Sequence, residues 1–475
     1  MLARLGVALP LGLPPNVTGM TADSRAVRPG MLYAALPGAR ADGRAFIAEA
    51  VARGAAVILA PAGTTWPAGV PPRPLILDAE PRRVLARLAA LQAGPQPDRV
   101  VAITGTNGKT STAEFLRQLL ANAGVEAASL GTLGLITREN QGSPGLTTPD
   151  PVALAATLAA LARDGVQAVA LEASSHGLDQ FRLDGVRLAA AGFSNLTRDH
   201  LDYHGTTEAY RTAKLRLFDT LLPLGAPAVA STALEPSTMD ALRGIAVRRG
   251  LVLHRVGEGG DLLRLLRATP QPGGQVLEVE MGGVRHDVVL PLPGRFQADN
   301  ALLAAGLAIA TGTADALDRL PQLRGVRGRM ELAATLPNGA AVYVDYAHTP
   351  DALDRLLTAL RPHTAGRLHV VFGAGGDRDA GKRPLMGAAA SLADRAIVTD
   401  DNPRSEDPAA IRRAILAAVP SATEIGDRAA AIAAAMNDLA PGDVLVVAGK
   451  GHEQGQTVGG TILPFDDAAT VRGLA

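Results

Sequence analysis

Apolar positions along the chain alternate between short unbroken runs and longer stretches in which they recur every three or four residues. That is the pattern of buried strands interleaved with amphipathic helices. Met31 to Ala35, Ala55 to Leu59 and Leu75 to Leu77 read as strands around a helical stretch from Ala45 to Arg53, a small α/β unit. Gly94-Pro95-Gln96-Pro97-Asp98 then predicts a linker, because paired prolines favour extended backbone. From Val100 an all-apolar strand enters a glycine turn and a long helix ending at Asn122, and β/α alternation continues to about Leu320, which predicts a mostly parallel sheet covered on both faces. Ala341 to Val344, Leu368 to Phe372, Arg395 to Thr399 and Val444 to Ala448 are further buried strands separated by helical stretches, a doubly wound pattern. The expected domains are 1–88, 89–324 and 325–475.

Composition narrows the classes. The 475 residues are 47% hydrophobic and 19% charged, which supplies core for more than one domain and excludes a disordered tail protein. Lys plus Arg equals Asp plus Glu at 46 each, so no whole-protein field favours nucleic acid or an anionic membrane, and an anionic ligand must be met by a local site. The absence of cysteine removes disulfides, thiolate metal sites and cysteine nucleophiles. The opening MLARLGVALPLGLPP is apolar but contains prolines, no small-residue cleavage site and no run long enough to span a bilayer, so a cytoplasmic protein without membrane contact is expected.

The strongest local signal is VVAITGTNGKTSTAEFLRQLL. Gly105, Thr106, Asn107 and Gly108 can curl backbone N–H groups round a phosphate, Lys109 adds charge, and Thr110 and Ser111 open a helix whose hydroxyl can reach a phosphate-bound Mg²⁺. The ordinary P-loop has glycine five positions before Gly108, where this chain has Ile103, so the loop is a shortened variant. Glu172 ends the apolar run Val169-Ala170-Leu171, at the strand edge where doubly wound sheets bind ligands, and is a hard-metal candidate. Lys214 follows Tyr210 by four residues and shares its helix face.

The string TGTNGKTST resembles the ATP loop of the Mur ligases and their folylpolyglutamate synthase cousins. Further segments resemble that family in the same order: DSR at 23–25, TTPDP at 147–151, EASSHGL at 172–178, RDHLDYHG at 198–205, AYRTAK at 209–214, GRM at 328–330, DYAHTPDAL at 345–353, GGDRD at 375–379, DNPR at 401–404 and GKGHE at 449–453. The resemblance implies an ATP-dependent ligase that activates a carboxylate as an acyl phosphate and joins it to an amine. It also implies an N-terminal UDP-sugar-binding domain, a central P-loop-type ATPase domain and a C-terminal Rossmann-like domain for the amino acid. By resemblance the catalytic and metal residues are Lys109, Thr110, Glu172, His200 and a carbamylated Lys214, around two Mg²⁺ ions; His204 is the neighbouring alternative to His200, which is preferred. ATP is further expected at Asn300, Arg329, Asp345 and His348, with Gln297 where the family usually has asparagine. Ser24 and Arg25, helped by Asp42-Gly43-Arg44, are expected at the UDP group, and Thr147, Thr148, Ser174, Ser175, Gln180 and Arg182 at the sugar and peptide.

DNPR bears on the second substrate. Diaminopimelate carries both charges at its distal end, and Arg404 can grip a carboxylate through two parallel N–H bonds, which a lysine-adding enzyme does not need. Asp401, Asn402, Pro403, Gly449 and Glu453 complete the expected pocket, with Arg378 on the other carboxylate. The expectation is a monomeric enzyme adding meso-diaminopimelate to UDP-N-acetylmuramoyl-L-alanyl-D-glutamate in peptidoglycan precursor synthesis, closing its domains to work. The alternatives are a relative adding lysine or another amino acid, or a regulatory nucleotide-binding P-loop protein. No Asn-Lys-x-Asp base-reading motif of a switch GTPase is present.

Overall fold

The computed structural model describes residues 17–38, 41–140, 142 and 145–475, so the reading of the first fifteen residues lies outside the described part. Two compact units emerge: the described residues up to Arg255 with Gly306–Ala314, and Val256–Ala305 with Asp315–Ala475. No helix among the described residues is long and apolar enough to cross a membrane.

The first unit begins with a four-stranded parallel sheet, β1 (Met20–Thr21), β2 (Leu32–Ala34), β3 (Val57–Pro61) and β4 (Leu75–Asp78), in sequential order. Helix α1 (Ile47–Ala52) covers one face and α2 (Pro81–Ala93) the other; Ile47 and Val51 pack with Ile58, and Val84, Leu85 and Leu88 with Leu32 and Leu59. The 94–98 segment is irregular, yet it is no slack tether. Gln96 is buried, its amide donating to Gly185 O at 2.8 Å and accepting from Arg187 N at 3.0 Å.

A second sheet of the same unit is built from β5 (Arg99–Thr104), β6 (Ala127–Gly131), β7 (Gly134–Ile136), β8 (Ala168–Glu172), β9 (Leu188–Phe193) and β10 (Pro227–Ser231). These run in the order β10-β9-β5-β8-β6-β7, all parallel except the terminal β7. The helices are α3 (Lys109–Asn122), α4 (Pro151–Arg163), α5 (Ser175–Asp179), α6 (Leu201–His204), α7 (Thr207–Arg216) and α8 (Pro236–Arg249). Strand β5 is central and wholly apolar from Val100 to Ile103, as a strand buried on both faces must be. Its carboxyl end and that of β8 lie side by side, which brings the 105–110 loop and Glu172 to one edge.

In the second unit the expected β/α alternation is broken. Strand β11 (Val252–Gly257) pairs parallel through its last residues with β12 (Leu263–Gln271), and β12, β13 (Gly274–Met281) and β14 (Val284–Leu290) form an antiparallel meander. The reason is local: Gly273 and the Gly282-Gly283 pair supply left-handed turn residues, and the strands alternate inward Leu263, Leu265, Leu277 and Val279 with outward Arg264, Arg267, Glu278 and Glu280. Helix α9 is Arg295–Ala310.

The chain ends in a doubly wound sheet, β15 (Glu331–Thr335), β16 (Ala341–Asp345), β17 (Leu368–Phe372), β18 (Arg395–Val398), β19 (Thr423–Glu424) and β20 (Val444–Ala448), in the order β15-β16-β20-β17-β18-β19. Helices α10 (Pro350–Leu360), α11 (Lys382–Ala390) and α12 (Pro408–Leu416) cover one face, and α13 (Arg428–Asn437) and α14 (Asp467–Leu474) the other. Before α14 comes a hairpin, β21 (Gly455–Val458) and β22 (Thr461–Pro464).

Candidate active site

Gly108 opens α3 in the left-handed conformation, φ 82°, and no side chain caps the helix, so its first N–H groups are available to an anion. The loop before it is held from below by Asn195: Thr106 N donates to Asn195 O at 2.9 Å and Asn107 N to Asn195 Oδ1 at 3.0 Å. Lys109 folds back across the turn, its Nζ donating to Gly105 O at 3.0 Å and Thr106 O at 2.8 Å.

Glu172 is almost fully buried at the end of β8. Its carboxylate accepts from Thr110 Oγ1 at 3.0 Å, Thr132 N at 2.8 Å and Thr132 Oγ1 at 3.2 Å. Gly131 makes the room, since a Cβ there would sit 2.0 Å from Glu172 Oε1. Lys214 reaches the same loop from α7, Nζ donating to Gly105 O at 2.7 Å and lying 4.5 Å over the Tyr210 ring. Burial, reinforced by Lys109, holds its amine well below the usual lysine range. Tyr210, whose hydroxyl is pushed up to about 12 by burial, shares a hydrogen bond of 3.1 Å with Thr106 Oγ1. The loop, Thr110, Glu172 and Lys214 are thus joined by direct hydrogen bonds.

His200 is joined less directly. It sits in the left-handed region, φ 52°, just before α6, with its half-exposed ring 6.1 Å from that of Tyr210 and 5.0 Å from that of His176. The alternative, His204, has its ring tilted against that of Tyr210 at 5.3 Å, and its buried Nε2 has no hydrogen-bond partner. Among the described residues no three His, Asp or Glu side chains form a self-contained metal centre. The donor set nevertheless suits Mg²⁺, which takes hard oxygens and fills its sphere from one or two carboxylates and substrate phosphates. Thr110 and Glu172 supply such oxygens, whereas Lys214 as an amine does not, and only a carbamate would make it a ligand.

The residues expected at the sugar and peptide gather beside Glu172. Thr148 Oγ1 donates to Glu172 O at 2.8 Å and lies 3.0 Å from Ser174 Oγ, while Thr147 Oγ1 lies 3.1 Å from Thr132 Oγ1. Arg182 donates to Thr148 O at 2.6 Å and Gln180 Oε1 at 2.7 Å, and Ser175 Oγ is buried without a partner. Ser24 lies instead in the 3₁₀ turn Ser24–Ala26 between β1 and β2, donating to Glu49 Oε2 at 3.0 Å, with exposed Arg25 paired to Asp23 and Arg44 paired to Asp42.

In the second unit Asp345 ends β16, its carboxylate accepting from Met330 N at 2.6 Å and Ala347 N at 2.8 Å; burial raises it above the usual carboxylate range, with Arg329 opposing. Arg329 lies 4.7 Å over the Tyr346 ring, which also makes tilted ring contacts with His348 at 4.6 Å and His452 at 5.0 Å. Asn300 donates to Gln297 Oε1 at 3.1 Å, so the lengthened amide at 297 pairs with the expected contact.

The 401–404 segment forms a knot of its own. Arg404 has φ 54°, and its Nη1 donates to Gly376 O at 2.6 Å, beside exposed Arg378. Asn402 Nδ2 donates to Glu453 Oε2 at 3.0 Å, and Asp401 sits against Gly449, where a Cβ would meet its Oδ2 at 2.6 Å. Lys450, fully buried, donates to Asn402 Oδ1 at 3.1 Å and lies 3.3 Å from Glu453 Oε2. Sequence reasoning singled out neither Lys450, Thr132, Asn195 nor Gln456. Lys450 stands inside a quoted motif and was within reach, while the other three act through distant chain segments that no local pattern reveals.

Family models match three successive stretches of the chain: "Mur ligase family, catalytic domain" over residues 16–93, "Mur ligase middle domain" over 103–308 and "Mur ligase, glutamate ligase domain" over 328–451. The chain is 57% identical over 469 residues to the UDP-N-acetylmuramoyl-L-alanyl-D-glutamate--2,6-diaminopimelate ligase of Caulobacter vibrioides, covering 97% of this chain and 96% of that one. It is 54% identical over 460 residues to the protein of the same name from Mesorhizobium japonicum, covering 96% and 94%. A solved structure of a ligase of that name matches with a TM-score of 0.72 at 34% identity, over 96% of this chain and 94% of the other.

Proposed function

The chain belongs to the Mur ligase family, and from that premise we propose that it adds meso-diaminopimelate to UDP-N-acetylmuramoyl-L-alanyl-D-glutamate, converting ATP to ADP and phosphate, as a cytoplasmic monomer in peptidoglycan precursor synthesis. The observation that carries the substrate assignment is Arg404, a fork of donors on the same short loop as Asn402, whose amide donates to Glu453. An amino acid with a distal carboxylate and ammonium meets both signs there, whereas lysine offers Arg404 no carboxylate.

The chemistry follows from what a carboxylate lacks. Its charge repels an amine and oxide does not leave, so it must first accept the γ-phosphoryl group of ATP, releasing ADP. The diaminopimelate amine then attacks the acyl carbon, loses a proton and expels phosphate, forming the amide. Lys109 and the open N–H groups of α3 hold the transferring phosphoryl group, and the Arg182 cluster orients the peptide end. Two magnesium ions, held by Thr110, Glu172, His200 and carbamylated Lys214, would supply neutralisation of phosphate charge. Burial holds the Lys214 amine well below the usual lysine range, which makes it more nucleophilic toward CO₂: nitrogen bonds carbon, a proton departs, and an amine that offers Mg²⁺ no oxygen becomes an anionic oxygen ligand.

The test is an amino-acid panel with wild type and Arg404→Ala, following phosphate release and coupled product. Wild type is expected to release phosphate only when the UDP-dipeptide is present and to prefer meso-diaminopimelate over L-lysine by about a hundredfold or more, with Arg404→Ala losing most of that preference. Undiminished diaminopimelate transfer by Arg404→Ala removes the specificity argument. Phosphate release independent of the dipeptide favours the regulatory P-loop alternative.

A further inference from the structure

The hairpin β21–β22 has no core to serve. Ile462 is 71% and Leu463 48% exposed, and no residue of either strand is buried. What it does make is a set of bonds to one loop, residue after residue. Gln456 Nε2 donates to Asp401 O at 2.7 Å, Thr457 N to Asn402 Oδ1 at 2.9 Å, Arg404 N to Thr457 O at 3.0 Å and Gly459 N to Arg404 O at 2.8 Å. Val458 and Arg404 are consequently paired as a parallel bridge. From the other side Lys450 fixes Asn402 Oδ1, and Lys450 and Asn402 both engage Glu453 Oε2.

This arrangement explains how Arg404 can hold φ 54°, a conformation that costs a non-glycine residue energy and persists only where neighbours impose it. Both backbone groups of Arg404 are pinned by the hairpin, and the guanidinium is aimed by Gly376 O. The tight turn at Gly459 and Gly460, φ 54° and 82°, sets the register in which the pinning N–H is presented.

We propose that the hairpin Gly455–Pro464 is the specificity template of the amino-acid site, and that Gln456 is a positioning residue holding the Asp401–Arg404 loop so that Arg404 meets the distal carboxylate of the incoming amino acid. The proposal rests on the reading that the chain adds diaminopimelate. A bond that positions Arg404 matters for an amino acid with a distal carboxylate and not for lysine, whereas general loosening of the fold lowers turnover of both.

The experiment measures kcat and KM for meso-diaminopimelate, L-lysine, ATP and the UDP-dipeptide, with melting temperature, in wild type, Gln456→Met, Gly459→Ala and Gly459→Asn. Gln456→Met keeps length and loses the donor, and is expected to raise KM for diaminopimelate about fivefold to tenfold, the loss of one hydrogen bond, with the other KM values within about twofold of wild type. Gly459→Ala is expected to act the same way, and Gly459→Asn, which tolerates left-handed backbone, to keep wild-type selectivity. An unchanged KM for diaminopimelate in both Gln456→Met and Gly459→Ala, or equal losses with both amino acids, overturns the proposal. A wild type that fails to use diaminopimelate overturns the underlying reading instead.

Discussion

Lys214→Met separates the catalytic role proposed for Lys214 from what the side chain costs the fold. The substitution keeps the stem and approximate volume of a side chain that is 1% exposed. It removes one hydrogen bond, to Gly105 O, which Lys109 Nζ also engages, and a cation–π contact with Tyr210. Among the described residues no ion pair includes Lys214, and Lys109 opposes its charge. The lost hydrogen bond is worth about 1 kcal/mol, while relieving a buried, charge-unpaired amine returns about 1–3 kcal/mol, so the net effect at neutral pH in CO₂-free buffer is stabilisation. The sign with pH follows from linkage. The amine's folded pKa lies below its ordinary 10.5, so the stability it permits is present above 10.5 and is lost as pH falls through the folded value. Lys214→Met should therefore melt at or above wild type at pH 7, by up to roughly 4 °C, with the gap closing toward pH 10.5. In the same protein ligase turnover should fall by about a thousandfold, and ¹³C-bicarbonate should give wild type, not the variant, a carbamate resonance. A variant less stable than wild type at pH 7, with a gap that stays constant to pH 10.5, refutes the claim that an uncompensated buried amine sits at this site.

Two further perturbations probe the C-terminal sheet. Arg428 and Asp467 are fully buried and joined by two bonds of 2.7 Å, so Arg428→Met should destabilise by about 3–5 kcal/mol by stranding the carboxylate, and Arg428→Met with Asp467→Leu should recover most of it in denaturant titrations. Asp443 is raised by burial but more strongly lowered, to about 2 from 3.8, by the N–H groups of Ala440 and Arg367 and by the Arg367 guanidinium. Its contribution is present above pH 3.8 and lost as pH falls through about 2, so the stability gap between wild type and Asp443→Asn should close across that window in acid titration.

The parallel sheets were legible because strands buried on both faces must be apolar without interruption, as Val100 to Ile103 and Val444 to Ala448 are. The 263–290 meander was missed because its alternating residues lie between helical stretches and were absorbed into the β/α rhythm, although Gly273 and Gly282-Gly283 mark its turns. The 94–98 segment reads as a tether from its prolines. One buried amide, Gln96, ties it down through partners some ninety residues away.

The site shows the same division in sharper form. The candidate site residues Lys109, Glu172 and Arg404 were visible, because they sit where strand ends and turns already announce themselves. Residues that aim those groups were not. Thr132 reaches Glu172 across 40 positions, Lys450 reaches Asn402 across 48 and Gln456 reaches Asp401 across 55. Each acts by one or two hydrogen bonds whose donor could have served a surface turn equally well, and only the folded register of β6 beside β8, of β20, β17 and β18 side by side, or of the hairpin beside the 401–404 loop, gives it a partner. Positioning is thus a property of strand register rather than of residue type. A motif match picks out candidate groups, while the hydrogen bonds that aim them are written in the pairing of segments far apart in the chain.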